Sequence, residues 1–194
     1  LSKHFMHPDN PIVNIDIPHA FFSPYSLLVA LFSKLTHLNS IQSLQFFAFF
    51  NLLLFLSSFY FLIKSFFKHN YILISSISLL LILFFWGPKP YYWSGFYHIF
   101  VLDKVLPYPS TFAISLTFLT LSLVNINHDH TSYSRSVLII LLSAIVFITH
   151  PTTAIFLFIG VISLTFTFNN FSLKQCILRS GIIIIPSLTL CLFW

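Results

Sequence analysis

Residues 44–63, LQFFAFFNLLLFLSSFYFLI, decide how this chain folds. Fourteen of these twenty side chains are Leu, Ile or Phe, and none is charged. Roughly 20 apolar residues are what an α-helix needs to cross the ~30 Å hydrocarbon core of a bilayer. Each Leu, Ile or Phe contributes roughly −0.3 to −0.6 kcal/mol to insertion, which outweighs the opposing contributions of Gln45 and Asn51. Lys64 and Lys68 close the run.

Similar runs follow. Residues 71–86 form the next and stop at Gly87, Pro88, Lys89 and Pro90. Residues 110–126, 136–148 and 152–168 read as three more, the last two joined by the tight turn Thr149-His150-Pro151. A sixth runs from about 180 to the last residue, 194, with a kink expected at Pro186. Residues 127–135 and 169–179 read as polar connections.

On the N-terminal side, residues 1–43 are the least apolar large block. Ser23 is placed to cap a helix whose first residue is Pro24. Tyr25, Leu28, Phe32 and Leu35 then recur at helical steps over about 24–37, too short to span and suited to the membrane interface. The expectation is an all-α fold. It is a polytopic transmembrane helical bundle of about six spans plus an interfacial helix, with an extracytoplasmic segment (1–43) ahead of a membrane bundle (44–194). The chain opens on Leu1 and stops inside an apolar run, as a fragment of a longer protein would.

The composition agrees. Only 7% of residues are charged against 57% hydrophobic, and mean hydropathy is +0.92. Soluble domains carry roughly 25% charged residues, so lipid must replace water as the main solvent. Cys176 and Cys191 have no metal-ligand spacing and read as small apolar filler. The formal charge of +5 comes from scattered Lys and Arg, and needs no nucleic acid as partner.

Those cations orient the bundle instead. Alternation groups residues 64–70, 127–135 and 169–179 on one side, with Lys64, Lys68, Arg135, Lys174 and Arg179. Lys3, Lys34, Lys89 and Lys104 are spread over more than twice that length on the other. The first group reads as cytoplasmic, giving a multi-pass protein of the plasma membrane. Asp9, Asp16 and Asp103 then fall outside with six of nine histidines, and there is no Glu in the chain.

Three constellations carry chemistry. His7-Pro8-Asp9-Asn10-Pro11, with Asp16 and His19, offers a carboxylate that could deprotonate an acceptor hydroxyl or hold a metal ion. The same residues also suit turns beside prolines. Residues 87–109 hold Tyr91, Tyr92, Trp93, Phe96, Tyr97, His98 and Asp103, a set fit for stacking on sugars or for anchoring at an interface. His150 could donate a proton or bind phosphate, or simply close a hairpin turn. No Walker loop, GxGxxG, HExxH, CxxC or GxSxG pattern occurs. No span has a charge near its centre, which weakens an ion-coupled transport reading.

In its order of parts the chain resembles the GT-C glycosyltransferases, polytopic enzymes that use polyprenyl-phosphate-linked sugars. Asp9 and Asp16, the helix beginning Ser23-Pro24-Tyr25, and the span from Leu44 match the outer acidic loop, interfacial helix and following spans of that superfamily. The match is architectural, and Asp9 and Asp16 stand seven apart where an adjacent acidic pair is common. The resemblance implies hexosyl or pentosyl transfer from a polyprenyl-phosphate donor to a glycan, lipid or protein acceptor. Asp16 or Asp9 would be the base. His19, Tyr92, Trp93, His98, Asp103 and His150 would line the donor pocket. Membrane lipid is the other expected partner. No cofactor is dictated, and a divalent cation is an option. The rival readings are a multi-span transporter or lipid flippase and a non-catalytic membrane component.

Overall fold

The computed structural model describes residues 22–85, 97–126, 133–167, 172–192 and 194, and among them there is no strand. The helices are α1 (Pro24–Thr36), α2 (Ser40–Phe66), α3 (Tyr71–Phe85), the short α4 (Leu102–Val105), α5 (Pro109–Ile126), α6 (Tyr133–Thr149), α7 (Pro151–Thr167) and α8 (Leu173–Cys191). A 3-10 turn, Ile99–Val101, leads into α4.

Local chemistry accounts for the boundaries. Ser23 caps α1 in a reciprocal box with Ser26, and Pro24 takes the first helical position. The chain turns at His37, in the left-handed region at φ 58°. Asn39 and Gln42 then form the same kind of box at the start of α2. Two such boxes, at the starts of helices joined by the three residues 37–39, set the α1–α2 hairpin locally.

Helix α8 starts earlier than its hydropathy suggests. Ser172 and Gln175 build a capping box, with Ser172 N–H donating to Gln175 Oε1 at 3.0 Å. Residues 173–179, expected as polar connection, are therefore two helical turns carrying Lys174 and Arg179 on their exposed surface. Helix α8 runs on through Pro186 to Cys191.

Among the described residues three helices, α2, α5 and α8, are long and apolar enough to cross a membrane, which is compatible with an integral membrane protein. Helices α3, α6 and α7 are shorter, 15, 17 and 17 residues. At 1.5 Å per residue their described parts reach about 22–25 Å.

The distribution of side chains is the reverse of a water-soluble protein's. Fully buried positions include Ser43, Asn51, Thr111, Ser115, Thr120, Ser143 and Ser187, while Phe49, Leu73, Phe85, Phe156 and Ile185 are exposed. Small residues let helix backbones approach where lipid, not water, covers the outside. Ser115, Thr117 and Thr120 of α5 each donate to the carbonyl four residues back, so their hydroxyls are satisfied within the helix. At Gly160 of α7 a Cβ would stand 2.8 Å from Leu121 Cδ2, so α5 and α7 pack closely there and a larger residue would make the Leu121 side chain shift.

Helix α5 is central, packed on α2, α6 and α7, whereas α3 leans on α2. Successive helices reverse direction, and α2 and α5, separated by α3, run parallel, with α3 lying against α2. At one end Asn125 Nδ2 donates to the Ser65 carbonyl at 2.7 Å, joining the last turns of α5 and α2. The Cys176 thiol, near the start of α8, reaches the Thr165 carbonyl at the end of α7. At the other end Tyr25, Phe112, Val146 and Ala154 share one apolar cluster, and Phe22 stacks on Trp194 at 4.9 Å. The starts of α1, α5 and α7 thus meet the ends of α6 and α8. This is the same partition of ends that helix alternation along the sequence leads one to expect.

Candidate functional site

The most built feature lies at that second end, where three segments far apart in sequence meet. Helix α1 doubles back across the first half of α2, with Phe32 stacked on Phe46 at 4.3 Å and Tyr25 edge-on to Phe47 at 5.7 Å. Beside them runs the segment from Tyr97 to Pro109. Its inner side chains, Tyr97, Val101 and Val105, pack with Phe55, and Tyr97 stacks on that ring at 4.6 Å.

A polar node ties the three together. Asn51 Nδ2 donates to the Leu106 carbonyl at 2.7 Å and to Tyr25 Oη at 3.0 Å. Tyr25 Oη in turn donates to the Pro107 carbonyl at 2.8 Å. Thr111 Oγ1 donates to the Val105 carbonyl at 2.6 Å, so the peptide stretch before α5 gives three consecutive carbonyls to side chains. Burial pushes the Tyr25 phenol up to about 12, with Asn51 tempering the rise. Tyr97 is likewise pushed to about 12 by burial, with Thr111 close enough to temper the rise. Its hydroxyl finds no hydrogen-bond partner among the described residues. Asn51 Oδ1 is also buried without a partner among them.

Above the node a groove of about 780 Å³ opens between α1, the first turns of α2 and residues 104–109. Val29, Ala30, Leu44 and Pro107 make its apolar walls, and Ser26, Ser33, Ser40, Tyr108 and Lys104 supply hydroxyls and a cation. Such a lining suits an amphiphile whose chain lies on carbon and whose head carries oxygen and negative charge.

The expected site residues fall as follows. His98 caps the 3-10 turn, its Nδ1 accepting from Phe100 N–H at 3.3 Å. Asp103 is exposed in the first turn of α4, beside Lys104. His150 sits at the α6–α7 turn, at the same end of the bundle. Its Nδ1 accepts from Thr153 N–H at 3.3 Å and lies 2.7 Å from Thr153 Oγ1. The ring therefore serves as a cap for α7, and its burial lowers its pKa below 6.5. No contact joins His98, Asp103 and His150 into one pocket, and none of the three lines the groove. Asp9, Asp16, His19, Tyr92 and Trp93 lie outside the described residues. Among the described residues no three His, Cys or Asp gather as metal ligands. Both cysteines are free thiols.

The Tyr25–Asn51 node and the groove were not legible as a site in the sequence. One signal existed: Asn51 is an amide in the middle of a long apolar run, and polar groups at such depth seek partners. Its partners, two backbone carbonyls, have no sequence signature.

No protein-family model, curated protein or solved structure matches this chain.

Proposed function

We propose that this chain is an integral membrane protein of about six crossings that transfers a sugar from a polyprenyl-phosphate donor, in the manner of the GT-C enzymes it resembles. The observation that carries this reading is the groove between α1, α2 and residues 104–109. It offers apolar walls for an isoprenoid chain, hydroxyls for a sugar, and the Lys104 ammonium for phosphate oxygens. Asp16, or else Asp9, would take the proton from the acceptor hydroxyl, a role typically worth about 10²- to 10⁴-fold in rate.

Transport through the bundle draws less support. A path needs polar groups facing an opening, and the hydroxyls of α5 are buried and bonded to their own helix.

The test is transfer by the full-length protein, reconstituted with polyprenyl-phosphate hexose or pentose and a mixed pool of glycan and lipid acceptors. Incorporation should fall at least tenfold in Ser33→Trp, which fills the groove, and by about 10²-fold or more in Asp16→Asn. Asp129→Asn, in the connection 127–135 expected on the cytoplasmic side, should be silent. Full activity in a double Asp9→Asn, Asp16→Asn variant would overturn the assignment of the base. Movement of the lipid across the vesicle without transfer would replace the enzyme with a flippase.

A further inference from the structure

A second groove, of about 370 Å³, runs between α2 and α3 away from the one above. Its lining is Phe59, Ile63, Ser78, Leu81, Ile82 and Phe85, hydrocarbon apart from one hydroxyl. Helix α3 turns most of its remaining surface outward, with Ile72, Leu73, Ile77, Leu80 and Phe84 exposed, so the groove opens into an apolar surrounding. Its mouth is different in kind. Tyr71 lies on the same stripe of α3 as Ser78, Ile82 and Phe85, at helical spacing, and so stands at the groove's upper end. Beside it the Lys64 ammonium is 5.5 Å from the Tyr71 ring centre and 5.9 Å from that of Tyr60. Lys68 is exposed two residues past the end of α2.

We infer that this groove is a site for one acidic phospholipid, with an acyl chain between α2 and α3 and the headgroup phosphate on Lys64 and Lys68. The aromatic rings hold the Lys64 ammonium by its charge while its N–H groups remain able to meet phosphate oxygens. Preference for an acidic over a zwitterionic head follows from local charge. Among the described residues the one acid, Asp103, is at the opposite end of the bundle, so a choline or ethanolamine cation would meet lysines and no carboxylate of the described residues. Asp129 lies outside the described residues. Each lysine near an anionic headgroup strengthens binding by about fivefold. The inference rests on the membrane reading of α2 and α3 and is independent of sugar transfer.

The experiment is native mass spectrometry of the full-length protein in mild detergent with phosphatidylglycerol or phosphatidylcholine. One phosphatidylglycerol should be retained in preference to phosphatidylcholine. The Lys64→Gln, Lys68→Gln double variant should weaken that retention at least tenfold, and Lys64→Arg should keep it. Ser78→Trp, which fills the groove and leaves the charges intact, should also lose the lipid. It decides the matter if the double variant fails to run as a monodisperse helical protein. Equal retention of the two lipids, retention unchanged in Ser78→Trp, or displacement by inorganic phosphate would overturn the inference. So would a dimer that Ser78→Trp dissolves, since the occupant would then be a second copy.

Discussion

Asn51 and Leu106, 55 residues apart, are joined by a 2.7 Å hydrogen bond from the Asn51 amide to the Leu106 carbonyl. The amide sits in the interior of α2, the longest of the described helices, where an unbonded polar group is disfavoured by several kcal/mol in hydrocarbon. That preference turns a lone polar residue into a positional constraint: α2 must present Asn51 to residues 106–107, and Tyr25 must reach the same place.

Removing the amide should therefore loosen the whole junction. Asn51→Leu leaves the Leu106 carbonyl and the Tyr25 hydroxyl short of a donor and should lower stability by about 1–3 kcal/mol. Tyr25→Phe keeps the ring packing against Phe47 and Phe112 and should lower it by about 1 kcal/mol. The two should couple, since they share a hydrogen bond, with the double variant losing less than the sum. Equilibrium unfolding of the four proteins in mixed micelles measures this, and strict additivity would mean the node does not act as a unit.

The same tyrosine predicts an alkaline effect. Its folded pKa, about 12, lies above the ordinary 10.0. Between those values the folded state holds a proton that the unfolded state has lost, so stability falls as pH rises through that window. Below pH 10 the contribution is fully present. Unfolding midpoints of wild type and Tyr25→Phe should run parallel below pH 10 and converge above it, as the wild type alone loses this contribution.

His150 predicts the opposite trend in acid. Its pKa is lowered by burial from 6.5, so the folded state favours the neutral ring. The contribution is present above pH 6.5 and is lost as pH falls through the depressed folded value. Protonation also removes the Nδ1 acceptor that caps α7. His150→Ala should cost about 1 kcal/mol at neutral pH, whereas His150→Asn should keep the cap and flatten the acid limb. Thermal unfolding from pH 7.5 down to 5 would check both.

Sidedness can be read chemically. In a Cys191→Ser background, with Cys176 buried, single cysteines at Tyr108 and Ser134 should react with a membrane-impermeant maleimide from opposite faces. Reaction of both from one face would mean that α5 does not cross, and would reduce the number of spans.

Much of the secondary structure was readable in advance because it depends on neighbours within a few residues. Ser23 with Pro24 announces the start of α1 through bonds that close over three residues. The same pattern at Asn39 and Gln42 goes unread by hydropathy, which begins the span at Leu44, four residues late. The α8 start was misread for a local reason too. Lys174 and Arg179 made residues 173–179 look like loop, although Ser172 and Gln175 already held a capping pattern. For the site the reverse held. The residues singled out by their chemistry, His98, Asp103 and His150, serve in part as caps and exposed turns, and the groove is made of serines and small apolar groups that attract no notice in a sequence.

By itself the sequence determined that this chain is helical and has the apolar runs of a membrane protein. Hydropathy and capping are sums over contiguous residues, and lipid rewards them whatever the rest of the chain does. Only the tertiary structure decided that Tyr25, Asn51 and the carbonyls of Leu106 and Pro107 meet, and that α1 stands over residues 104–109 to leave a groove. Those contacts join a side chain to backbone groups 55 and 82 residues away. Every residue has a carbonyl, so nothing in the letters at 106 and 107 says which one Asn51 or Tyr25 will find. The choice follows from which faces of α1, α2 and α5 pack together, because a buried polar group without a partner there would cost more than the helix shifts that supply one.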